Sequence, residues 1–417
     1  MTGARPAAAE ATRFSPRLVA LVFVPFAAGY FLSYFFRNVN AVIAKDLARE
    51  FALTSADLGL LTSTYFVTFG LAQLPIGVLL DRYGPRRVVA TLLCLTALGA
   101  FLFGGAAGFG SLAIARALIG LGVSACLMGA IKAFTLWFPL SRLATVNGWY
   151  IFFGAVGGLA ATAPVEAALG AIGWRAMFYG LAAASLAVAA LIALCVPEKP
   201  LPGAGATWGD QIRGVGEILS RPLFWRIAAP FVITHAAYQA MQGLWLGPWL
   251  TDVAGFAREG AARLLFVCAA AYALGSVAFG TFADRLAARG LSRLTLYKAG
   301  LLVSFAAFVA IAADAALPRA GLLATYGFTM MAGALVFALV TPHFPTAMSG
   351  RVITAVNFGM FTTSFAFQWG IGAVLRAFPV VDGRYAAEGF GAALAGLAVL
   401  QVIVLAWLLP LREERSR

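Results

Sequence analysis

Charge is the scarcest commodity in this chain. Asp, Glu, Lys and Arg together make up 11% of its 417 residues, where a soluble domain carries about a quarter. Water is therefore not the main solvent of the folded protein. Cysteine is nearly as rare. Cys94, Cys126, Cys195 and Cys268 all fall in or beside apolar stretches, and no two form a CxxC pair. That excludes a disulfide framework or thiolate metal centre and leaves them as small core residues. There are two histidines, and no HExxH, paired aspartates or serine–histidine arrangement lies in the apolar stretches. A membrane-embedded enzyme is accordingly a weak reading. No Walker loop appears, so ATP is not expected as a driver. Acidic residues number 17 against 30 basic ones, a net charge of +13. No basic stripe with interleaved aromatics accompanies this excess, which argues against nucleic acid. It is read instead as topology, because Lys and Arg gather on cytoplasmic loops.

What is present is apolar: 62% of residues are hydrophobic and mean hydropathy is +0.89. A bilayer core requires about twenty apolar residues per helix. Spans fit near 18–42, 57–80, 87–107, 111–135, 143–165, 174–195, 227–250, 260–283, 292–313, 319–341, 352–375 and 387–410. The expected fold is all-α and membrane-integral, with twelve transmembrane helices. One connection is both long and polar, Val196 to Arg226, near the chain's midpoint. It divides the chain into a six-helix bundle over 1–195, a linker over 196–226 and a second six-helix bundle over 227–417. The polar, alanine-rich N-terminus reads as a short tail before a retained first span. Both termini are expected in the cytoplasm of a bacterial-type inner membrane. That orientation puts Arg82, Arg86, Arg87, Lys199, Arg213, Arg221, Arg226, Arg285, Arg289, Arg293, Arg412, Arg415 and Arg417 inside.

The two halves echo each other. "GVLLDRYGPRR" (Gly77–Arg87) follows span 2 and "GTFADRLAARG" (Gly280–Gly290) follows span 8; both read G-x-x-x-D-R. "FPLSRLATVNG" leads into span 5 and "FPTAMSGRVITAVNFG" into span 11. An internal repeat of this kind implies two related bundles.

At these residues the chain resembles the major facilitator superfamily. "GVLLDRYGPRR" is similar to that family's loop between helices 2 and 3, and the copy after span 8 is similar to its second-half echo. "RALIGLGVSA", with Arg116, Gly120 and Gly122, resembles the helix 4 motif. "GAVGGLAATAP", with Gly154 and Gly158, resembles the glycine-rich helix 5 motif, without the proline that antiporters carry in that cluster. The resemblance implies a secondary transporter working by alternating access. It also implies a conformational latch at Gly77, Asp81, Arg82, Gly84, Arg86, Asp284 and Arg285, and coupling or packing roles for Arg116, Gly120, Gly154 and Gly158. The residues alone permit a plainer reading of the loop, a tight turn at Gly84 and Pro85 with surface charges around it.

Polar groups at membrane depth are functional candidates by default. In span 1 these are Tyr34, Arg37 and Asn38; Lys132 lies toward the cytoplasmic end of span 4 and reads equally as vestibule lining or headgroup contact. In the second half they are His235, Gln239, Gln242, Asn357 and Gln368. Arg37 stands out because no carboxylate lies at comparable depth. An unpaired buried cation is costly, and an arginine fork suits carboxylate or phosphate. Either Arg37 awaits an anionic solute, or it snorkels to the outer interface. "SYFFRNVNA" resembles helix 1 of organophosphate/phosphate antiporters, where an arginine contacts phosphate. Those carriers have a second arginine on helix 7; "HAAYQAMQGLW" has none, and His235, Gln239 or Gln242 would serve instead. His235 is also a candidate proton carrier. Tyr30, Phe35, Phe36, Tyr150, Tyr238, Trp245 and Trp369 are candidates for an aromatic lining.

The expected cargo is thus a small organic anion, a carboxylate or phosphate ester, moved alone or with H+. A copper or other metal importer of the same superfamily, using Met and His ligands, is the rival, weakened by the absence of a Met or His pair stacked on one helix face. No cofactor or resident metal is expected. The partners are the solute and the lipid bilayer, and a monomer is expected.

Overall fold

Single glycines, rather than polar loops, decide where two of the crossings end. In the computed structural model, Gly84 adopts φ 79° within the continuous run Ser55–Gly104 and Gly173 adopts φ 70° within Ala163–Cys195. A side chain is strained in that left-handed region, so glycine turns the chain there at least cost. The structure describes residues 16–139, 142–199, 208–345, 348–381 and 383–411; side chains at 144, 208, 211, 280–285, 287, 288 and 349 are also outside it.

Eight helices among the described residues are long and apolar enough to cross a membrane, and one of them, Ser55–Gly104, holds two crossings joined at Gly84. Leu143–Ala160 leads into the fifth crossing, and Ser349–Leu375 makes the eleventh. The seventh joins Pro222–Ala240, Met241–Trp245 and Leu246–Asp252. Twelve spans result, and an even number leaves residues 16 and 411 at one end of the molecule, here the near end. Spans 1 to 6 fill 16–195 and spans 7 to 12 fill 222–408. Between them lies the linker helix Trp208–Leu219. The Val196–Arg226 connection therefore holds an amphipathic helix, and its residues 200–207 lie outside the description, as do Arg412, Arg415 and Arg417. A two-stranded hairpin, β1 (Val380–Val381) against β2 (Arg384–Tyr385), turns at the far end.

Every third span is irregular near mid-length. Span 1 has a π-helical run at Val19–Phe23 and a break at Val39, between Val24–Asn38 and Asn40–Phe51. Span 4 breaks between Phe109–Val123 and Cys126–Trp137. Span 7 carries a π-helical run at Met241–Trp245, and span 10 a 3-10 run at Met331–Leu335. Such interruptions in membrane helices collect where a solute path needs free backbone groups. Span 1 also continues as helix to Phe51 and stops at Ala52 in the left-handed region, φ 50°. The next helix starts on a capping box in which Thr54 and Asp57 bond each other's backbone N–H.

Close approach of spans 1 and 5 rests on missing side chains. A Cβ at Gly157 would lie 2.1 Å from the Phe31 carbonyl oxygen, and one at Gly154 would lie 2.5 Å from the Tyr30 ring. Small residues are what let membrane helices touch backbone to backbone. The outward faces carry bare Leu194, Ile114 and Phe101, suited to lipid. At the near end, cations cap helix C-termini. Lys199 donates to Leu136 O, Arg86 to Ala193 O, Arg226 to Trp407 O, and Lys298 to Leu409 O. A positive charge there meets unpaired carbonyls and the negative end of the helix dipole.

Candidate functional site

Arg37 sits in the last turn before the span 1 break and is 4% exposed. Its guanidinium lies over three rings: Tyr34 at 4.5 Å, Phe69 of span 2 at 5.2 Å and Phe361 of span 11 at 5.1 Å. Phe361 belongs to the second bundle, and its ring stands 4.1 Å from Phe69. The cation is therefore enclosed by aromatic faces from both halves, which stabilise it by their quadrupoles. The Tyr65 hydroxyl lies beside it and donates to Ser33 O at 3.2 Å. The Nε of Arg37 has no hydrogen-bond partner, and no ion pair joins Arg37 to an acidic side chain among the described residues. Arg116, fully buried, donates to Phe36 O at 2.8 Å and lies over Tyr65 at 5.1 Å. It thereby holds the residue immediately before Arg37. A Cβ at Gly120 would lie 2.4 Å from Tyr65 O, so span 4 can press against span 2 at this level.

Other buried amides surround this level. Asn38 donates to Tyr34 O at 3.0 Å, and a Cβ at Gly158 would meet its Nδ2 at 3.0 Å. Gln239 Nε2, Gln242 Oε1 and both amide atoms of Gln368 have no partner, although Gln242 Nε2 donates to Leu265 O. Asn357 is buried on span 11. His235 is buried among the rings of Phe231, Tyr238 and Tyr272, at 4.9, 6.0 and 6.2 Å, with Nδ1 unpartnered. A buried polar atom left unpaired costs about 1–3 kcal/mol, so this set is poised to receive polar atoms from a solute or water. Among the expected lining rings, Trp245 is fully buried and donates to Gln368 O, whereas Trp369 is 46% exposed on the outside of the bundle.

The far mouth is closed by ion pairs between the halves. Arg258, opening span 8, grips Asp46 with both Nη atoms, at 2.9 and 2.6 Å, and Glu166 of span 5 with Nε at 2.8 Å. Lys45 pairs with Asp252, whose side chain is fully buried and also accepts from Thr251 Oγ1 and Tyr385 N. A cavity of about 750 Å³, lined by Asp46, Arg49, Glu50, Glu166, Trp174 and Arg258 among others, opens beside them. Glu50 accepts from Arg175 at 2.6 Å and Trp174 at 2.9 Å. The Arg175 bond holds its carboxyl below the ordinary 4.5. The pair thus stabilises the fold above that value and is lost as pH falls through the lower folded one. Thermal midpoints should hold from neutral pH to about pH 5 and fall below it. Glu50→Gln should flatten part of that fall; an unchanged profile would contradict the pairing.

At the near end, Asp81 pairs with Lys132 of span 4. Lys132 is thus tied to the loop motif rather than free in a vestibule. Arg86 binds span 6 through Ala193 O, and Arg87 pairs with Glu198. Arg82 lies over the Tyr83 ring, and Gly77 stands one turn before Asp81. Asp284 and Arg285 lie outside the described side chains. The ion pairs joining the two halves among the described residues all sit at the far end.

Phe69, Phe361, Tyr65 and Tyr272 were not singled out by sequence reasoning. Aromatic residues make up 13% of the chain, so a ring carries no signal until its neighbours are known.

Two six-helix bundles, shut at one mouth by inter-bundle ion pairs and enclosing between them a buried arginine with no acidic partner among the described residues, define a membrane carrier. Residues 26–368 match the Major Facilitator Superfamily, and the chain belongs to that transporter family. It is 27% identical over 392 residues to the probable sulfoacetate transporter SauU of Cupriavidus necator, covering 90% of this chain and 83% of that one. It is 28% identical over 148 residues to the probable L-galactonate transporter of Escherichia coli, covering 35% and 32%. Its fold is similar to that of a bacterial homologue of the human lysosomal transporter Spinster, with TM-score 0.75, 18% identity and coverage of 95% and 97%.

Proposed function

We propose that this carrier moves a small organic oxyanion across the inner membrane by alternating access, with the near end in the cytoplasm. One observation carries the reading: Arg37 is buried, wrapped by rings of both bundles, and without an acidic partner among the described residues. A carboxylate or sulfonate supplies the missing negative charge and accepts two N–H bonds from the fork. Tyr34, Asn38, His235, Gln239, Gln242, Asn357 and Gln368 offer hydrogen bonds to the rest of the solute. Sulfoacetate and galactonate, in the names of two relatives, are both oxyanions, which supports the class.

The test is uptake of labelled sulfoacetate, galactonate and simple carboxylates into proteoliposomes. Accumulation beyond equilibrium, collapsed by an uncoupler, is expected for at least one of them; no anion flux above empty vesicles would contradict the reading.

The Asp81–Lys132 pair is proposed as the near-end latch, remade and broken in each cycle. Asp81→Asn should lower maximal uptake about tenfold and change KM less than about threefold, because it alters a state equilibrium rather than a solute contact. Unchanged maximal uptake would refute the latch.

A further inference from the structure

We infer that Gln368, on span 11, reads a hydroxyl group beside the anionic head held by Arg37, so that the solute is a hydroxylated monoanion rather than a dianion. The inference rests on the anion reading above.

Gln368 is fully buried, and neither its Oε1 nor its Nε2 has a hydrogen-bond partner. The residue is fixed through its backbone instead. Trp245 Nε1 donates to Gln368 O at 2.9 Å. A Cβ at Gly59 of span 2 would lie 2.7 Å from that same oxygen, so the first bundle presses against span 11 at this residue. The amide itself lies beside Arg37. A Cβ at Gly243, in the π-helical run of span 7, would lie 4.0 Å from Gln368 Nε2 and 3.6 Å from Arg37 O. One point next to Gly243 is thus within contact distance of both, and glycine puts no side chain there. Phe361, whose ring faces the guanidinium, and Gln368 stand two turns apart on one face of span 11. A primary amide donates from nitrogen and accepts at oxygen. Filling both ends requires a group that accepts and donates, as a hydroxyl does. A second carboxylate or sulfonate only accepts, and would set its charge against Oε1. It would also lack a cation: among the described residues no lysine or arginine of the second bundle is buried. Arg116, the other buried cation, is bonded to Phe36 O in the first bundle and lies over the Tyr65 ring. A site that hydrogen-bonds a solute hydroxyl rejects the analogue lacking it, because the amide is then left unpaired.

The experiment measures binding of galactonate, hexanoate, adipate and sulfoacetate to purified full-length wild type and Gln368→Leu by calorimetry, with thermal midpoints of both apo proteins. The first three share a six-carbon chain and differ in hydroxyls and in a second carboxylate. Leucine removes two unpaired polar atoms, so the apo midpoint is expected not to fall. Wild type should bind galactonate at least about tenfold more tightly than hexanoate or adipate. Gln368→Leu should weaken galactonate about tenfold and leave hexanoate within about twofold. Tighter binding of sulfoacetate or adipate than of galactonate to wild type overturns the Gln368 assignment and leaves the Arg37 reading standing. So does an equal effect of the substitution on every anion bound, or no effect on any. If Gln368→Leu does not fold, the wild-type ranking decides alone. If wild type binds none of the four anions, both readings fall.

Discussion

Replacing Arg37 with alanine is expected to reduce anion uptake at least about 100-fold while the protein still folds and inserts. Hydrogen bonds to a charged group are worth about 1.5–3 kcal/mol each, and an arginine fork makes two. Every 1.4 kcal/mol is about tenfold in affinity, so losing both exceeds about 100-fold. Stability should not suffer correspondingly. Among the described residues no carboxylate pairs with Arg37, so its removal strands no buried counter-charge. What disappears from the protein is the stacking on Tyr34, Phe69 and Phe361, about 0.5–2 kcal/mol per desolvated ring contact, set against relief of the cation's desolvation. Arg37→Lys keeps the charge but not the fork, and intermediate uptake is expected. Paired uptake and thermal-midpoint assays separate the outcomes: normal transport in Arg37→Ala removes this residue from the site, and loss of folding assigns it to structure.

Arg258→Ala should shift the carrier toward an open far mouth. This side chain ties Asp46 of span 1 and Glu166 of span 5 to span 8. It is 39% exposed, so each bond is partly screened, yet the bidentate grip on Asp46 exceeds an ordinary surface pair. A bias of about 1–3 kcal/mol changes the ratio of states about 5–150-fold. Cysteines placed on span 1 and span 8 beside Asp46 and Arg258 should label faster from the far side in Arg258→Ala than in the parent. The buried Asp252, held by Lys45, Thr251 and Tyr385 N–H, remains to close the mouth, so Lys45→Ala should add to the effect. Equal labelling rates would show that the clamp does not set the state.

The fold was legible because lipid imposes a single rule: each crossing must be apolar for about twenty residues. The spans of the first half and the D-R loop motif could be placed from that rule and from the repeat. The irregular middles of spans 1, 4, 7 and 10 could not, because a π-helical turn at Met241–Trp245 differs from an ordinary one only in backbone pairing. Arg37 was legible as a deep cation with no carboxylate at comparable depth. Of the rings that hold it, Tyr34 was a candidate but Phe69 and Phe361 were not, since Phe361 reaches it from 324 residues away in a chain full of phenylalanine. Lys132 had two local readings, and Asp81, 51 residues distant, supplies its partner. Lys45 and Asp46 are neighbours in the sequence. In the structure each instead pairs across the seam, with Asp252 and Arg258 respectively, a pattern set by packing and invisible to spacing.

A structure of the carrier with a transported anion bound tests the central claim most directly. The anion's oxygens should lie about 2.7–3.2 Å from the Arg37 nitrogens, between the Tyr34 and Phe361 rings. An anion bound elsewhere, with Arg37 still facing only aromatic carbon, would contradict it.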